Sequence, residues 1–193
     1  MLFYNMKNLK LILYIVAISM GSLANKCLAQ TAAAGNKYVK YNVIQVALLL
    51  DVSGSMSGLL DQAKIEIWNV VNEAANARKQ GVPTKLEIGL YEYGNGYSSD
   101  NGYIKRIMDF SSDLDTIFNN LFSLKISGSA EYCGEVIMKS LDELQWRDAD
   151  SVFRVVFIAG NEPFNQGSVN YKESAEKAKK KDVLINTIHC GNE

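Results

Sequence analysis

The chain has 193 residues, of which 48% are apolar, and its formal net charge is -1. This length and composition suit one globular domain whose core needs neither metals nor crosslinks to fold. Acids and bases are mixed along the chain without forming a basic stripe, which argues against binding to a nucleic-acid backbone.

The first 29 residues have the pattern of a secretory signal. Lys7 and Lys10 precede an apolar run at 11–20, and the stretch ends at 27–29 in Cys-Leu-Ala, similar to an A-x-A cleavage site. The apolar run falls short of the roughly 20 residues that a membrane-spanning helix needs. We therefore expect cleavage after Ala29 and a periplasmic, outer-surface or secreted protein without a transmembrane span.

Cleavage would change the charge and the cysteine content of the chain. It removes three bases and no acids, leaving 17 bases against 21 acids, so the mature chain is mildly acidic. Lipidation of Cys27 is disfavoured because Lys26 precedes it. Cys133 and Cys190 remain in a compartment that permits disulfides, and they either pair or stay separate as two buried thiols.

The first elements of the mature chain give a strand followed by a helix. Residues 30–37 have no periodic pattern and predict a flexible lead-in, so the domain spans 38–193. The almost continuously apolar run at 43–50 is typical of a central strand that is covered on both faces. Residues 59–80 then repeat apolar residues at three-and-four spacing, which predicts a helix that Gly81 ends.

The remaining elements continue the alternation of strands and helices. Two strands are predicted at 85–93 and 103–110, joined in a hairpin by a Gly-, Asn- and Ser-rich loop. Helical patterns follow at 114–124, 131–146 and 171–181, and strand patterns at 152–159 and 183–189. The order predicts an α/β fold: a three-layer sandwich around a doubly wound, mostly parallel sheet with one antiparallel edge strand.

A polar motif follows the predicted central strand directly. Asp51-Val52-Ser53-Gly54-Ser55-Met56 places one carboxylate and two hydroxyls at alternating positions on a turn into a helix. Such oxygens suit a hard divalent cation, and ligands in open α/β sheets bind beyond the carboxyl ends of the strands. The alternative is a helix cap, because Asp and Ser also satisfy free amide donors at a helix start.

With this motif after an apolar strand, the chain resembles the von Willebrand factor type A family, in a bacterial exported form. The family's metal-ion-dependent adhesion site begins with D-x-S-x-S, and the resemblance extends through the element order over about residues 40–190. It implies a doubly wound fold with Mg²⁺, or Mn²⁺ or Ca²⁺, held at its top by Asp51, Ser53 and Ser55. It also implies non-enzymatic adhesion to a protein or cell-surface ligand through an acidic group.

Two other positions of the family's site differ here. Glu131 stands where the family has a threonine, with Ser129 as a near alternative. Gly160 stands where the family has an aspartate, and Asn161 or Glu162 could substitute for it. The resemblance therefore implies a partly degenerate site. The family also generally continues with another helix and strand, so this domain has one strand fewer or the sequence is a fragment.

Two other functions and one aromatic cluster complete the sequence-based hypotheses. The first is a metal-independent scaffold with a decayed site. The second is a metal-dependent phosphohydrolase that uses Asp51, which is disfavoured because Ser53 stands where its general acid would be. The sequence also lacks a Ser-His-Asp set, a phosphate-binding loop and zinc-ligand spacing, which argues against an enzyme.

Four tyrosines flank the hairpin loop: Tyr91, Tyr93, Tyr97 and Tyr103. They either contact a ligand, as we expect of Tyr97 and Tyr103, or pack the edge strand.

Overall fold

The structure, a computed structural model, describes residues 2–5, 43–76, 78–79, 82–128 and 130–191. Its strands are β1 (Leu2–Asn5), β2 (Val43–Asp51), β3 (Arg78–Lys79), β4 (Val82–Pro83), β5 (Lys85–Tyr93), β6 (Ile104–Ser111), β7 (Val152–Gly160) and β8 (Leu184–His189). Its α-helices are α1 (Leu60–Asn76), α2 (Leu114–Ser123), α3 (Cys133–Glu143) and α4 (Tyr171–Lys180).

The main sheet has the strand order β1-β8-β7-β2-β5-β6, and β3 with β4 forms a separate two-stranded ribbon. Neighbouring strands of the main sheet run parallel except β5 and β6, which are antiparallel. The predicted doubly wound α/β fold with one antiparallel edge strand is thus confirmed. Because β2 pairs with both β5 and β7, its carboxyl end lies at the middle of the sheet's upper edge.

The alternation of side chains along β2 explains its continuous apolar sequence. Val46, Leu48 and Leu50 contribute to a core cluster shared with α1 and α2, whereas Ala47 and Leu49 contribute to a second cluster shared with α3 and α4. Successive side chains of a strand point to opposite faces, so a strand covered on both faces must be apolar at every position. The sandwich therefore has two cores, one on each side of the sheet.

The first helix ends earlier than the sequence pattern predicts. It stops at Asn76 rather than Gln80, so the prediction that Gly81 ends it is wrong. Its buried stripe runs from Leu60 to Val71, and no helix residue after Val71 is buried. Helices in proteins depend mainly on the packing of one face, so the helix has little buried surface to stabilise its final residues up to Asn76.

The third helix is also shorter at both ends, spanning Cys133–Glu143 instead of 131–146. Leu144 has extended backbone angles and leaves the helix. Trp146 then folds back, donating from its indole nitrogen to the Ser140 carbonyl at 2.9 Å and packing edge-on against Phe110. Trp146 therefore covers the sheet from a loop, although its spacing fits the helical pattern. The other predicted elements agree with the structure within one residue at each end.

A buried polar network lies at the lower edge of the sheet, opposite the end of β2. Glu87 on β5 accepts hydrogen bonds from Gln45 on β2 and from the guanidinium of Arg147, and it pairs with Lys85 at 2.9 Å. Burial favours the neutral form of Glu87, but the bonds from Arg147, Lys85 and Gln45 outweigh it and lower its pKa to about 2. This network fixes the chain between α3 and β7 to the sheet.

The predicted signal and lead-in fall almost entirely outside the described residues. The exception is β1, which runs parallel to β8 with Leu2 opposite Asn186. Cleavage after Ala29 would remove β1 and leave a sheet of five strands. Within the part of the chain that the structure describes, no helix combines the length and apolarity needed to cross a bilayer.

Candidate functional site

The site begins where β2 ends and three loops meet at the upper edge of the sheet. After Asp51 the Val52 amide donates to the Tyr93 carbonyl, and the Gly54 amide donates to the Gly128 carbonyl, both at 2.9 Å. Gly128 has a φ of +91°, and a Cβ on it would lie 2.3 Å from the Gly96 nitrogen. Only glycine allows this approach, so the loops after β2, β5 and α2 are held together by backbone contacts.

The three residues of the D-x-S-x-S motif lie together in a hydrogen-bonded turn. The Ser53 amide donates to Asp51 Oδ1 at 2.8 Å, and the hydroxyls of Ser53 and Ser55 are 2.9 Å apart. A short 3₁₀ turn follows at Gly54–Met56, and the Ser53 side chain makes no capping bond to it. The Asp51 carboxylate orders the turn, but the Ser53 hydroxyl does not act as a helix cap.

Asn161, the first residue after β7, completes a row of oxygens. The Ser55 hydroxyl donates to Asn161 Oδ1 at 3.0 Å, so the Ser53 hydroxyl is left to donate to Ser55. The structure therefore brings Asn161, a substitute suggested for the missing aspartate, to the motif. Glu162 lies close enough to influence Asp51 electrostatically. Ser129 lies outside the described residues.

Asp51 is fully buried, and its charge is poorly compensated. Its Oδ2 atom is buried without a hydrogen-bond partner. Burial raises the pKa of this carboxyl to about 6; the bonds from Ser53 lower it, and the nearby carboxylates of Glu131 and Glu162 raise it. An orphaned carboxylate oxygen below a row of hydroxyl and amide oxygens is an arrangement that a cation would stabilise.

The absence of a side chain at Gly160 has a steric reason. Tyr93 reaches across from β5, and its hydroxyl donates to the Ala159 carbonyl at 3.0 Å. A Cβ placed on Gly160 would lie 2.4 Å from that hydroxyl oxygen and 3.1 Å from Asp51 Oδ2. Tyr93 is 1% exposed and has no room to move. The tyrosine thus occupies the space that an aspartate at position 160 would need.

Glu131 is buried near the site but is engaged elsewhere. Its Oε2 accepts from the Gln166 side chain at 2.6 Å, and its amide donates back to Gln166 Oε1 at 3.4 Å. Among the described residues, no group of three or more His, Cys, Asp or Glu side chains comes together to hold a metal ion. Glu131 therefore contributes negative charge to the surroundings of Asp51 but does not join the row of oxygens.

The loop that carries Asn161 and Gln166 is clamped onto the start of α3. Glu135 Oε1 accepts from the Ser168 amide at 2.5 Å, the Ser168 hydroxyl at 3.1 Å and the Val169 amide at 3.0 Å. Gly167 has a φ of +88°, and a Cβ on it would lie 2.4 Å from Glu135 Oε2. This loop, defined here as the 161–170 loop, is tied to the site by Asn161 and to α3 by Glu135.

The four tyrosines around the hairpin loop divide into core and surface residues. Tyr91 and Tyr93 are at most 1% exposed and belong to the core. Tyr103 packs edge-on against Tyr132, with ring centroids 5.4 Å apart. Tyr97 is 95% exposed on the 3₁₀ segment Gly96–Asn101, above the site's edge of the sheet. Of the two proposed ligand contacts, Tyr97 is the more exposed, and Tyr103 is partly buried beside Tyr132.

Cys133 and Cys190 are two separate buried thiols and do not form a disulfide with each other. Of the two alternatives that the sequence left open, the structure has the separate thiols. They belong to the cores on opposite faces of the sheet. Burial raises the pKa of each thiol to about 12; the Tyr93 hydroxyl opposes this at Cys133, whereas Asp51 reinforces it at both. Protonated thiols at these positions are poor metal ligands and poor nucleophiles.

The donor set at the end of β2 suits a hard cation. It offers the carboxylate of Asp51, the hydroxyls of Ser53 and Ser55 and the amide oxygen of Asn161, all of them oxygens. Mg²⁺, Mn²⁺ and Ca²⁺ prefer such ligands, whereas zinc and copper prefer nitrogen and sulfur. Because Asp51 is the only charged ligand in this set, a bound divalent cation would keep a net positive charge and could attract an acidic group of another molecule.

Sequence reasoning missed two residues that shape the site, Gln166 and Glu135, and it singled out Tyr93 without predicting its contact with Gly160. Each acts on a partner distant in sequence, so no local motif signals it. Gly167, with its left-handed backbone, was the available hint of a tight turn near Glu135. Tyr93 is the last residue of a buried strand, and nothing in the sequence around it indicated its contact with Gly160.

Comparison with known proteins adds three findings. The family model described as von Willebrand factor type A domain matches residues 45–193. No curated protein matches the chain significantly. The SpRpn10 VWA domain has a similar solved structure, with 16% sequence identity, a TM-score of 0.56 and coverage of 75% of this chain and 74% of that one.

Two solved structures of proximal thread matrix protein 1 from the mussel byssus are also similar. They have TM-scores of 0.62 and 0.59 at 13% and 14% identity, and each match covers 78% of this chain. The matches cover 37% and 36% of the mussel protein, so the chain spans little more than a third of its length. At these identities the likeness concerns the fold.

Proposed function

Because this chain belongs to the von Willebrand factor type A family, whose domains commonly mediate protein interactions, we propose that it binds its partner through a divalent cation. Asp51, Ser53 and Ser55 would hold the cation, with Asn161 beside them, and Mg²⁺ is the expected ion, with Mn²⁺ and Ca²⁺ as alternatives. The partner is a protein or cell-surface ligand that presents an acidic group, and no reaction is catalysed.

The observation that carries this proposal is the orphaned Oδ2 of Asp51. A fully buried carboxylate without a partner for one oxygen costs free energy unless something compensates its charge. The neighbouring oxygens of Ser53, Ser55 and Asn161 hydrogen-bond to one another. They are neutral, so they cannot compensate the charge of Asp51, but their lone pairs could bind a cation. A divalent cation supplies that charge.

The residues of the site would have distinct tasks. Asp51 provides the negative charge, and the turn that its Oδ1 orders places the two serine hydroxyls in a row. Asn161 adds a neutral oxygen from the loop that follows β7. The bound cation would attract an acidic side chain of the partner, because neutral ligands leave much of its charge uncancelled. Tyr97, exposed above this edge, offers an aromatic contact to the same partner.

Export is part of the proposal and has its own test. The pattern of residues 1–29 favours cleavage after Ala29, which would place the domain in the periplasm, on the outer surface or in the medium. Intact mass measurement of the protein recovered from the exported fraction of an expressing bacterium should give a chain that begins at Gln30. A chain retained in the cytoplasm with Met1 present would contradict export.

A second candidate, metal-independent partner binding, has one observation in its favour. Gly160 stands at the family's aspartate position, and the Tyr93 hydroxyl leaves no space there for an acidic side chain. A site without that carboxylate would hold a cation less tightly, and metal binding could have been lost during evolution. The domain would then bind through the same loops without metal.

Thermal unfolding with and without Mg²⁺ distinguishes the two candidates. A ligand that binds only the folded state stabilises it by about 2.7 kcal/mol when present at 100 times its Kd. We expect Mg²⁺ to raise the Tm of the wild type and of Ser57→Ala, an exposed serine next to the motif, but not of Ser53→Ala/Ser55→Ala. An equal Tm with Mg²⁺ and with chelator in the folded wild type would favour the metal-independent module.

A further inference from the structure

An apolar surface lies on the outer side of α1 and α2, away from the candidate metal site. It consists of Ile65 and Trp68 on α1 and Phe118 and Phe122 on α2, and we refer to it as the α1–α2 ridge. Ile65 is 51% exposed and Phe118 39% exposed, whereas most large apolar side chains of the described residues are buried. Exposed apolar patches of this kind commonly mark interaction sites.

The aromatic residues of the ridge form a continuous row. Trp68 meets Phe118 edge-on with ring centroids 5.0 Å apart, and Phe118 stacks on Phe122 at 4.4 Å. Trp68 and Phe122 are partly buried against the core below, so their outer edges are held rigidly. Ile65 lies one helical turn before Trp68 on the same side of α1. Rigid aromatic side chains supply much contact area at a low entropic cost.

Negative charges outnumber positive charges around the ridge. Asp61 lies one turn before Ile65, and Asp115 one turn before Phe118, both exposed. Glu66 and Glu73 occupy the adjacent row of α1. The only base in the two helices, Lys64, is 6% exposed and is bonded to Asp61 and to the Leu124 carbonyl. Asp61, Asp115, Glu66 and Glu73 thus outnumber Lys64, which is paired with Asp61, and Lys125, which is exposed just after α2, so the surface presents apolar side chains beside a net negative charge.

We propose that the α1–α2 ridge is a docking surface for a basic amphipathic helix of a partner protein. The seam between two helices accepts a third by the packing of side-chain ridges into grooves, with apolar residues at helical spacing. Lysine or arginine residues beside that apolar stripe would face Asp61 and Asp115. The inference is independent of the cation site, because the ridge shares no residue with it.

Two other occupants fit the surface less well. An anionic membrane would be repelled by the carboxylates that frame the ridge. A second copy of this chain would have to offer a basic and apolar helix, and α4, with Lys172, Lys177, Lys179 and Lys180, exposes no large apolar side chain among the described residues. The chemistry of the ridge therefore favours a separate basic partner.

Binding of synthetic peptides to the purified protein tests the proposal. The probe is a fluorescein-labelled Leu/Lys peptide of about 18 residues, five helical turns, with leucines along one face; the comparison peptide replaces every lysine by glutamate. By fluorescence anisotropy we expect saturable binding of the Leu/Lys peptide only. Ile65→Ser/Phe118→Ser should weaken it by about tenfold or more, as expected for loss of central aromatic contacts.

Matched variants separate docking from misfolding and from general stickiness. Leu184→Ser removes another exposed apolar side chain on β8, which is 55% exposed, and should bind the peptide as the wild type does. Asp61→Asn/Asp115→Asn leaves the apolar row intact and should also weaken binding, more at low salt than at high salt. Circular dichroism confirms that each variant is folded.

Several outcomes would overturn the proposal. These are absence of saturable binding, equal binding of the Leu/Glu peptide, and wild-type affinity in the Ile65→Ser/Phe118→Ser variant. Sedimentation that shows self-association lost in this variant would assign the ridge to a second copy instead. Co-sedimentation with phosphatidylglycerol vesicles, lost in the same variant, would assign it to a membrane.

Discussion

Asp51 combines complete burial with an unpartnered oxygen, and both features leave a mark on stability. Its pKa is raised from 3.8 to about 6, so the metal-free folded state binds a proton more tightly than the unfolded state does. The contribution of this carboxyl to stability therefore becomes less favourable as the pH rises from about 4 to 6 and stays unfavourable above. A bound cation would reverse this cost.

Asp51→Asn replaces the charge by a neutral amide of the same shape. We predict that it raises the free energy of unfolding of the chelator-treated protein at pH 7.5 by about 1–2 kcal/mol, because a buried unpaired charge is removed. The same variant should lose the stabilisation that Mg²⁺ gives the wild type. Urea unfolding measures both effects, and a metal-free variant less stable than the wild type would show that the carboxylate is compensated by the protein itself.

Gly160 and Tyr93 form a steric pair at the neighbouring strand ends. A Cβ at position 160 would lie 2.4 Å from the Tyr93 hydroxyl oxygen, well inside van der Waals contact. We predict that Gly160→Ala lowers the free energy of unfolding by about 1–3 kcal/mol, the usual cost of overpacking a core. Unfolding in urea measures the loss.

The double variant Tyr93→Phe/Gly160→Ala provides the check on that explanation. Removing the hydroxyl takes away the clashing atom together with its bond to Ala159. The cost of Gly160→Ala should therefore be smaller in the Tyr93→Phe background than in the wild type, a non-additivity expected only of residues in contact. Strictly additive effects would mean that the glycine is required for another reason.

At the level of residues, the sequence predicted the start of the site and not its surroundings. The D-x-S-x-S motif is local, so its oxygens could be assigned from five consecutive residues and the strand that precedes them. Comparison with the family's motif showed that Glu131 and Gly160 differ from the usual threonine and aspartate, but the sequence did not show the contacts that explain these differences. Gln166 engages Glu131 and Tyr93 fills the space over Gly160, and both depend on contacts between segments 35 and 67 positions apart, which no local pattern records.

Among the elements, the 161–170 loop is the one in which a single side chain, Glu135, holds the backbone of two successive residues. Three donors of this loop converge on Glu135 Oε1. We predict that Glu135→Ala frees the loop, with faster amide hydrogen exchange at Ser168 and Val169 while the strands remain protected. Because Asn161 belongs to the same loop, Mg²⁺ affinity should fall as well.

Glu173→Ala is the matched control for that experiment, since Glu173 lies in the first turn of α4, just after the loop. Its exchange pattern at Ser168 and Val169 should equal that of the wild type. Unchanged exchange in Glu135→Ala would mean that the backbone of the loop holds its conformation without the carboxylate.

The strand β5 carries the second prediction at this scale, a dependence of stability on acid. The pKa of Glu87 is lowered from 4.5 to about 2, so its contribution is fully present above about pH 4.5 and is lost as the pH falls toward 2. Since Arg147 and Lys85 are half exposed, solvent screening reduces the effect to about 1–2 kcal/mol.

Glu87→Gln should flatten this part of the pH profile. Between pH 5 and pH 2 the wild type is expected to lose more free energy of unfolding than the variant, while Glu73→Gln, on the exposed side of α1, keeps the wild-type profile. Equal slopes in wild type and Glu87→Gln would show that the Arg147 pair contributes nothing to stability.

Element positions were more predictable than element ends. Strands such as β2 and β7 are defined by continuous burial, which their apolar sequences report directly. The helices α1 and α3 instead end at Asn76 and Glu143, before the ends that their apolar spacing predicts. Helix ends depend on tertiary packing, and a periodic pattern does not contain that information.

At the scale of the whole molecule, strand order decides where the chemistry lies. The alternation of strands and helices predicted a doubly wound sheet, and the observed strand order places β2 between β5 and β7. The carboxyl ends of these three strands then meet at the upper edge, where Asp51, Tyr93 and Gly160 stand side by side. The position of the candidate site thus follows from the strand order, and whether a divalent cation binds there is the central question.

Calorimetric titration of the purified protein with Mg²⁺, Mn²⁺ and Ca²⁺ addresses that question most directly. Asp51→Ala is titrated alongside, with Asp109→Asn, an exposed carboxylate on β6, as the control for general charge effects. We predict one saturable site in the wild type and in Asp109→Asn, and none in Asp51→Ala. Absence of binding in the folded wild type, or equal binding in Asp51→Ala, would contradict a cation-dependent function at the end of β2.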